Sequence, residues 1–216
     1  MCPKYWQSPV RTYSFGTASR DDALSNVNNS SIKTYVDNWY KNNLNNYTDK
    51  LSKTTYFCND RRITSGLGYG MSITNYQPRT RFLNGTVDLT CPQNADKFTV
   101  SSETGNGNLT YPIGLITSDE AIAAGGKYNS SNTLYYLYVG EYCYTMSAGA
   151  LNNWIYSRNV KISSNGSIES GDNISNEGVR PVINLDPDKI TFTGNGTMQD
   201  PYILEWDSDK IQRFFL

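Results

Sequence analysis

The sequence predicts an α+β domain with two helices, short antiparallel strands and long loops, and three observations carry that expectation. An amphipathic stripe at helical spacing runs from Ile32 to Leu44. A capping box at Thr117–Glu120 opens a second, shorter helix. The remaining apolar runs are brief, suit strands, and are separated by Gly-, Asn- and Pro-containing turns.

In the first helix, Ile32, Tyr35, Val36, Trp39 and Tyr40 stand at i, i+3, i+4, i+7 and i+8, and Leu44 extends the stripe. Ser30 or Ser31 serves as N-cap, and Asn42-Asn43 and Asn45-Asn46 weaken the far end. Such a stripe is expected to dock on a sheet. In the second helix Thr117 is the N-cap and Glu120 the N3 residue, Ala121–Ala124 propagates the turn, and Gly125-Gly126 stops it. Asp119 and Glu120 are read as charges favoured by the helix dipole rather than as an acid–base pair.

Candidate strands are Thr54–Cys58, Lys97–Val100, Pro112–Ile116, Leu134–Val139, Tyr142–Met146, Trp154–Ile162 and Val179–Leu185. Leu134–Val139 is apolar on both faces, as a central strand should be. Asn165-Gly166 predicts a two-residue hairpin between KISS and SIES, and Asn195-Gly196 a similar turn between KITFT and PYIL. Gly66–Arg81 lacks periodicity and is predicted to be a long loop. With no internal repeat and no clean boundary, the organisation is an N-terminal segment (1–30), one domain (31–204) and a C-terminal tail (205–216).

Composition narrows the function classes. Of 216 residues 38% are hydrophobic, enough for one core, and 13% are aromatic, 17 residues being tyrosine, which suits pleated surfaces and recognition faces alike. The formal net charge is −1 and no basic run occurs, so no nucleic-acid partner is expected. Absence of histidine removes Ser-His-Asp and Cys-His catalysis and most metal sites. Gly66-x-Gly68-x-Gly70 lacks the spacing of a phosphate loop. Asp186-x-Asp188 beside Asn184 offers oxygen ligands to calcium, but the spacing is not that of an EF-hand and Pro187 accounts for a turn there, so no cofactor is expected. No apolar run is long enough to span a bilayer and Met1-Cys2-Pro3-Lys4 lacks a leader's apolar core, so any membrane attachment is expected through a segment missing from this chain.

The four cysteines, Cys2, Cys58, Cys91 and Cys143, are either free thiols in a reducing compartment or disulfides outside it. Cys58 and Cys91 flank a Gly- and Tyr-rich stretch, and a bridge between them is expected, worth about 3–4 kcal/mol in the chain-entropy view. Cys2 and Cys143 form a second pair or stay unpaired. Aromatics clustered with amides mark a candidate ligand surface: Tyr142, Tyr144, Asn152, Asn153, Trp154, Tyr156 and Arg158. Tyr142, Tyr144 and Trp154 also alternate as core-facing strand residues do, which leaves Asn152, Asn153, Tyr156 and Arg158 as the members expected at the surface.

Ordered blocks carry a resemblance: IKTYVDNWYKNNL (32–44), FCNDR (57–61), LTCPQNADKFTV (89–100), GNGNLTYPIGLITSDEAIAAGG (105–126), YYLYVGEYCYTMS (135–147), GVRPVINL (178–185) and GNGTMQDPYIL (194–204). Together they resemble an uncharacterised domain of surface and pilin-like proteins of Gram-positive gut-type bacteria, over about residues 30–204. The closing blocks are remotely similar to the C-type-lectin-like fold shared with formylglycine-generating enzymes. Tyr144-Thr145-Met146-Ser147-Ala148 replaces the WTMSP-like block, and the metal-binding cysteine pair of those enzymes has no counterpart, so the resemblance implies the fold and not that activity. Arg180, between Val179 and Pro181, is expected to bridge carboxylates or carbonyls of neighbouring loops, and Pro181 to confine its strand to an edge or bulge.

The reading is therefore a non-catalytic module at the extracellular or cell surface, binding a glycan or a host or bacterial surface protein. Two other readings stay open: a structural pilus or fibre subunit, and a carboxylate-dependent hydrolase drawing on residues such as Asp21, Asp22, Asp172 and Glu177.

Overall fold

A computed structural model describes residues 29–68, 72–135, 137–152, 156–172, 177–197 and 199–205. Helix α1 (Ser31–Asn43) comes first, followed by the short strands β1 (Phe57–Cys58), β2 (Ile63–Ser65) and β3 (Thr74–Tyr76). Helix α2 (Gln77–Asn84), β4 (Lys97–Phe98), β5 (Ile113–Leu115) and α3 (Ser118–Ala123) occupy the middle of the chain. The last part is β6 (Cys143–Asn152), β7 (Tyr156–Ile162), β8 (Ile168–Asp172), β9 (Pro181–Ile183), β10 (Thr191–Thr193) and β11 (Ile203–Glu205). All named pairings are antiparallel: a five-stranded sheet in the order β2-β3-β6-β7-β8, and the two-stranded pairs β1-β4, β5-β9 and β10-β11. The architecture is α+β.

Helix α1 begins where the chain supplies a cap: the Ser30 hydroxyl accepts the Lys33 amide at 3.1 Å. Its stripe buries Val36, Tyr40 and Leu44 against Leu51, Ile113, Leu115, Tyr144 and Val179, which docks the helix on the β5-β9 pair. Tyr40 stacks on Tyr111 with ring centroids 4.8 Å apart, and its hydroxyl meets Thr48 Oγ1 at 2.8 Å, so this buried phenol is not left unsatisfied. A second core lies on the five-stranded sheet beneath α2 and α3, where Phe82, Ile116, Ala121, Val160, Ile162 and Ile168 meet Tyr135 and Leu137.

The predicted long loop Gly66–Arg81 is corrected, because β3 and most of α2 lie in it. Helix α2 carries its signal at its ends: Pro78 in the first turn lacks only an amide that would be unpaired there, and Gly85 closes the helix at φ 67°. Leu134–Val139 is not a strand among its described residues. The chain turns there, with the Tyr138 amide on the Tyr135 carbonyl, so Tyr135 and Leu137 plug the second core while Leu134 is 95% exposed. Burial of alternate residues thus needs no hydrogen-bonded ladder. Asn165-Gly166 does join β7 to β8, but the Ser163 amide pairs with the Ser167 carbonyl and Gly166 sits at φ 80°, a three-residue loop rather than two. Asn195-Gly196 likewise lies in a longer connection between β10 and β11.

Phe82, 1% exposed, anchors α2 to the second core. Phe82→Ala should lower unfolding free energy by about 3–5 kcal/mol in urea titration, and Leu134→Ala by under ~0.5 kcal/mol. Equal costs would contradict the assignment of Leu134 to the surface.

Candidate functional site

Three segments that are far apart in sequence meet around one guanidinium. Arg81, in the last turn of α2, donates from Nε to Asp119 Oδ1 at 2.7 Å and from Nη2 to Asp119 Oδ2 at 2.9 Å. Its Nη1 donates to Asp60 Oδ2 at 2.8 Å. Asp60 follows β1 and Asp119 stands in the first turn of α3, and all three residues are buried. Arg62 adds a forked contact to Asp60, 2.9 Å from Nε and 2.8 Å from Nη2, and reaches Asp88 Oδ2 at 3.1 Å. The Asp88 amide in turn donates to Asp119 Oδ1 at 3.0 Å.

The surroundings of Asp60, Asp88 and Arg81 favour their ionised forms. Burial alone would raise the Asp60 pKa, but hydrogen bonds from Arg62 and Arg81 outweigh it and hold the carboxyl below the usual aspartate range. Asp88 is lowered chiefly by the Thr90 hydroxyl, with Arg62 contributing. Burial works against the Arg81 charge as well, yet Asp119 and Asp60 push its pKa upward. Asp119 is therefore more than a helix-dipole charge, which corrects the sequence reading of it: it is the bidentate anchor of a buried arginine.

Above this network lies a pocket of about 160 Å³. Phe57, Cys58 and Asp60 line it from the FCND segment, and Asp88, Leu89 and Thr90 from the loop after α2. Leu115, Thr117, Asp119 and Glu120 come from β5 and the start of α3. Ser147 enters from β6, and Val182 and Asn184 from the GVRPVINL segment. Local structure explains each placement. The Cys58–Cys91 disulfide, across a sequence separation of 33, ties the Asp88–Thr90 wall to β1. The capping box of α3 is complete, with the Thr117 side chain accepting the Glu120 amide and the Glu120 carboxylate accepting the Thr117 amide. Ser147 is aimed by a bulge: β6 and β7 shift register between Tyr144 and Ala148. Within it the Met146 amide binds the Ile116 carbonyl and Ser147 Oγ accepts the Ser118 amide at 2.8 Å.

The residues singled out in the sequence lie elsewhere. Tyr142 is 38% exposed with its ring 4.6 Å from Lys161 Nζ, which itself pairs with buried Glu177 at 2.7 Å. Tyr144 is 5% exposed and packs in the α1 core, which takes it out of the surface set. Arg158 is half-buried in β7. The backbones of Asn152 and Tyr156 pair across the β6-β7 hairpin, whereas Asn153 and Trp154 lie outside the described residues. Arg180 donates from Nη1 to the Leu137 carbonyl at 3.0 Å, and Pro181 sits in the two-stranded β5-β9 pair. Cys143 is disulfide-bonded; Cys2 lies outside the described residues. Asp186–Lys189 forms a turn, and no cluster of three or more potential metal ligands occurs among the described residues. No helix among them is long and apolar enough to cross a membrane.

Sequence reasoning missed the pocket because its core pairs, Arg81 with Asp60 and with Asp119, are 21 and 38 residues apart. Comparison with protein-family models, curated proteins and solved structures finds no match for the chain.

Asp60 and Asp88 have folded-state pKa values below their unfolded ones. Each therefore contributes stability that is present above about pH 4 and lost as pH falls through the folded value. Asp60→Asn, which leaves Arg81 short of one buried partner, should cost about 3–5 kcal/mol at neutral pH and flatten the acid limb of a stability-versus-pH profile. Parallel profiles for the two proteins would contradict that origin. Removing the Cys58–Cys91 bridge in a Cys58→Ala/Cys91→Ala double variant should lower stability by about 3–4 kcal/mol, read as a shift in the urea midpoint against wild type.

Proposed function

We propose that this chain is a non-catalytic, extracytoplasmic binding or adhesion module of C-type-lectin-like architecture, displayed at the cell surface. A glycan or surface-protein ligand would enter the pocket over Arg81. One observation carries the reading: segments from most of the ordered blocks, FCNDR, LTCPQ, LITSDE, YTMS and GVRPVINL, converge on that pocket although they are scattered along the chain. Those blocks also underlie the family resemblance, which makes the pocket a better candidate than the Tyr142–Arg158 surface.

Its chemistry supports binding over turnover. General acid catalysis needs a carboxyl held protonated near neutral pH, and here Asp60 and Asp88 are pulled the opposite way. The ion pairs and the disulfide form a rigid floor and wall, which lowers the ordering cost that a ligand must overcome. Leu89, 59% exposed, gives the rim an apolar lip. A disulfide at the pocket wall suits an oxidising compartment.

A second reading, a structural fibre subunit, is favoured by the β10-β11 hairpin. Its Phe192 and Tyr202 rings pack edge to face at 5.2 Å and stay more than half exposed, an apolar surface suited to subunit contact.

Panels of glycans and surface proteins probed with wild type and two variants test these readings. Leu89→Ala should weaken binding about 3–10-fold, and the Tyr142→Ala/Arg158→Ala double variant should retain it. Loss confined to the double variant would move the site to the β6-β7 hairpin. No binding by wild type, together with concentration-dependent assembly in sedimentation, would select the fibre reading.

A further inference from the structure

We propose that the pocket takes one neutral, hydroxyl-bearing ring: the end residue of an uncharged glycan. The inference rests on the binding reading above and specifies its ligand.

The uncommitted hydrogen-bonding groups point to this chemistry. Arg81 uses Nε–H and one N–H from each terminal nitrogen on its two aspartates, which leaves the second N–H of Nη1 and of Nη2. Ser147 Oγ accepts the Ser118 amide, and its own proton has no acceptor among the described residues. On the acceptor side, Asp119 Oδ2 takes only Arg81, and Asp88 Oδ2 only Arg62. Glu120 places both of its cap contacts on Oε2 and leaves Oε1 free. The Asn184 side-chain amide, donor and acceptor at once, has no partner among the described residues. Free donors and free acceptors are thus interleaved around one cavity. A hydroxyl group, which donates one hydrogen bond and accepts others, answers both; an anion or an ammonium answers only one.

Charge makes the same selection. Around the pocket stand Asp60, Asp88, Asp119 and Glu120 against Arg62 and Arg81, a formal excess of two negative charges, which disfavours acidic sugars, phosphate and sulfate. An ammonium would meet the remaining N–H groups of Arg81 on the floor. The apolar lining of Phe57, Leu115, Val182 and Leu89 suits the C–H face of a sugar ring, and Tyr56 offers an aromatic face. Lys97 Nζ lies 5.4 Å from the Tyr56 ring centroid. A volume of about 160 Å³ is comparable to that of a cavity that takes one six-membered ring.

The test is ligand-observed NMR on the intact chain with four sets of probes: methyl glycosides of neutral hexoses and N-acetylhexosamines, the matching uronic acids, glucosamine, and short lysine-containing peptides. Binding of at least one neutral glycoside is expected, with an affinity that changes less than about 2-fold between low and high salt. Asn184→Ala, which removes no side-chain hydrogen bond among the described residues, should weaken it about 10-fold. Leu134→Ala, remote and exposed, should not change it. Binding of uronic acids, glucosamine or peptides without neutral glycosides would overturn the sugar assignment while leaving the binding-module reading in place. So would neutral-sugar binding that Asn184→Ala leaves intact. Silence from every probe at millimolar concentration, together with no binding on the glycan and protein panels, would overturn both.

Discussion

Burying a guanidinium is costly, and the way this chain meets that cost organises much of its structure. Arg81 is buried beside Phe82 in the chain, and desolvation of such a charge is tolerated only where partners surround it. Asp119 and Asp60 supply them from opposite sides, and Arg62 and Asp88 satisfy much of what those carboxylates leave open. Helix α2, helix α3, the turn after β1 and the loop after α2 are thereby held to one point. Replacing the set with apolar residues need not weaken the fold, since buried ion pairs often add little net stability. What the set provides is registry, because each segment has one position at which its charge is matched.

Registry of that kind fixes the shape of the pocket. The two cores lie on either side of it: α1 packs on β5-β9, while α2 and α3 pack on the five-stranded sheet. Segments that leave those cores supply the pocket lining, so their side chains sit on elements whose positions are already determined. The β6 bulge is one example. Cys143 pairs with Ile162 of the second core, so an unbroken strand would carry both Thr145 and Ser147 on that face; with the register shift Thr145 Oγ1 binds the Val160 carbonyl and Ser147 meets the start of α3. The disulfide has the same effect on a loop with little apolar content of its own.

Local signals in the sequence were legible wherever a few neighbouring residues suffice. The stripe from Ile32 to Leu44, the Ser30 cap, the Thr117–Glu120 capping box and the Asn165-Gly166 turn each act over one or two helical turns or a single hairpin, and each appears where its pattern places it. Helix α2 was missed: Pro78 and Gly85 mark its ends, but the polar run of Arg79, Thr80 and Arg81 obscures the periodicity that marks a helix. Leu134–Val139 failed for the opposite reason. Its apolar pattern is consistent with a strand, and only the course of the surrounding chain shows that its residues fill a core without pairing.

For the site the division is sharper. Composition and the absence of histidine restricted the chemistry to acceptors, amides and aromatics, and the ordered blocks marked the segments involved. Which member of each segment faces the pocket depended on contacts across 21 and 38 residues, as in Arg81 with Asp60 and Arg81 with Asp119. Tyr142 and Tyr144, two residues apart, show the limit: one is exposed over Lys161 and the other is buried against α1. By itself the sequence determined the α+β class, the ends of α1 and α3, and the oxidisable cysteines, because those follow from short-range hydrogen bonding, periodicity and composition. The tertiary structure decided the pocket, because matching a buried charge to its partners is a long-range condition that only the assembled fold can satisfy.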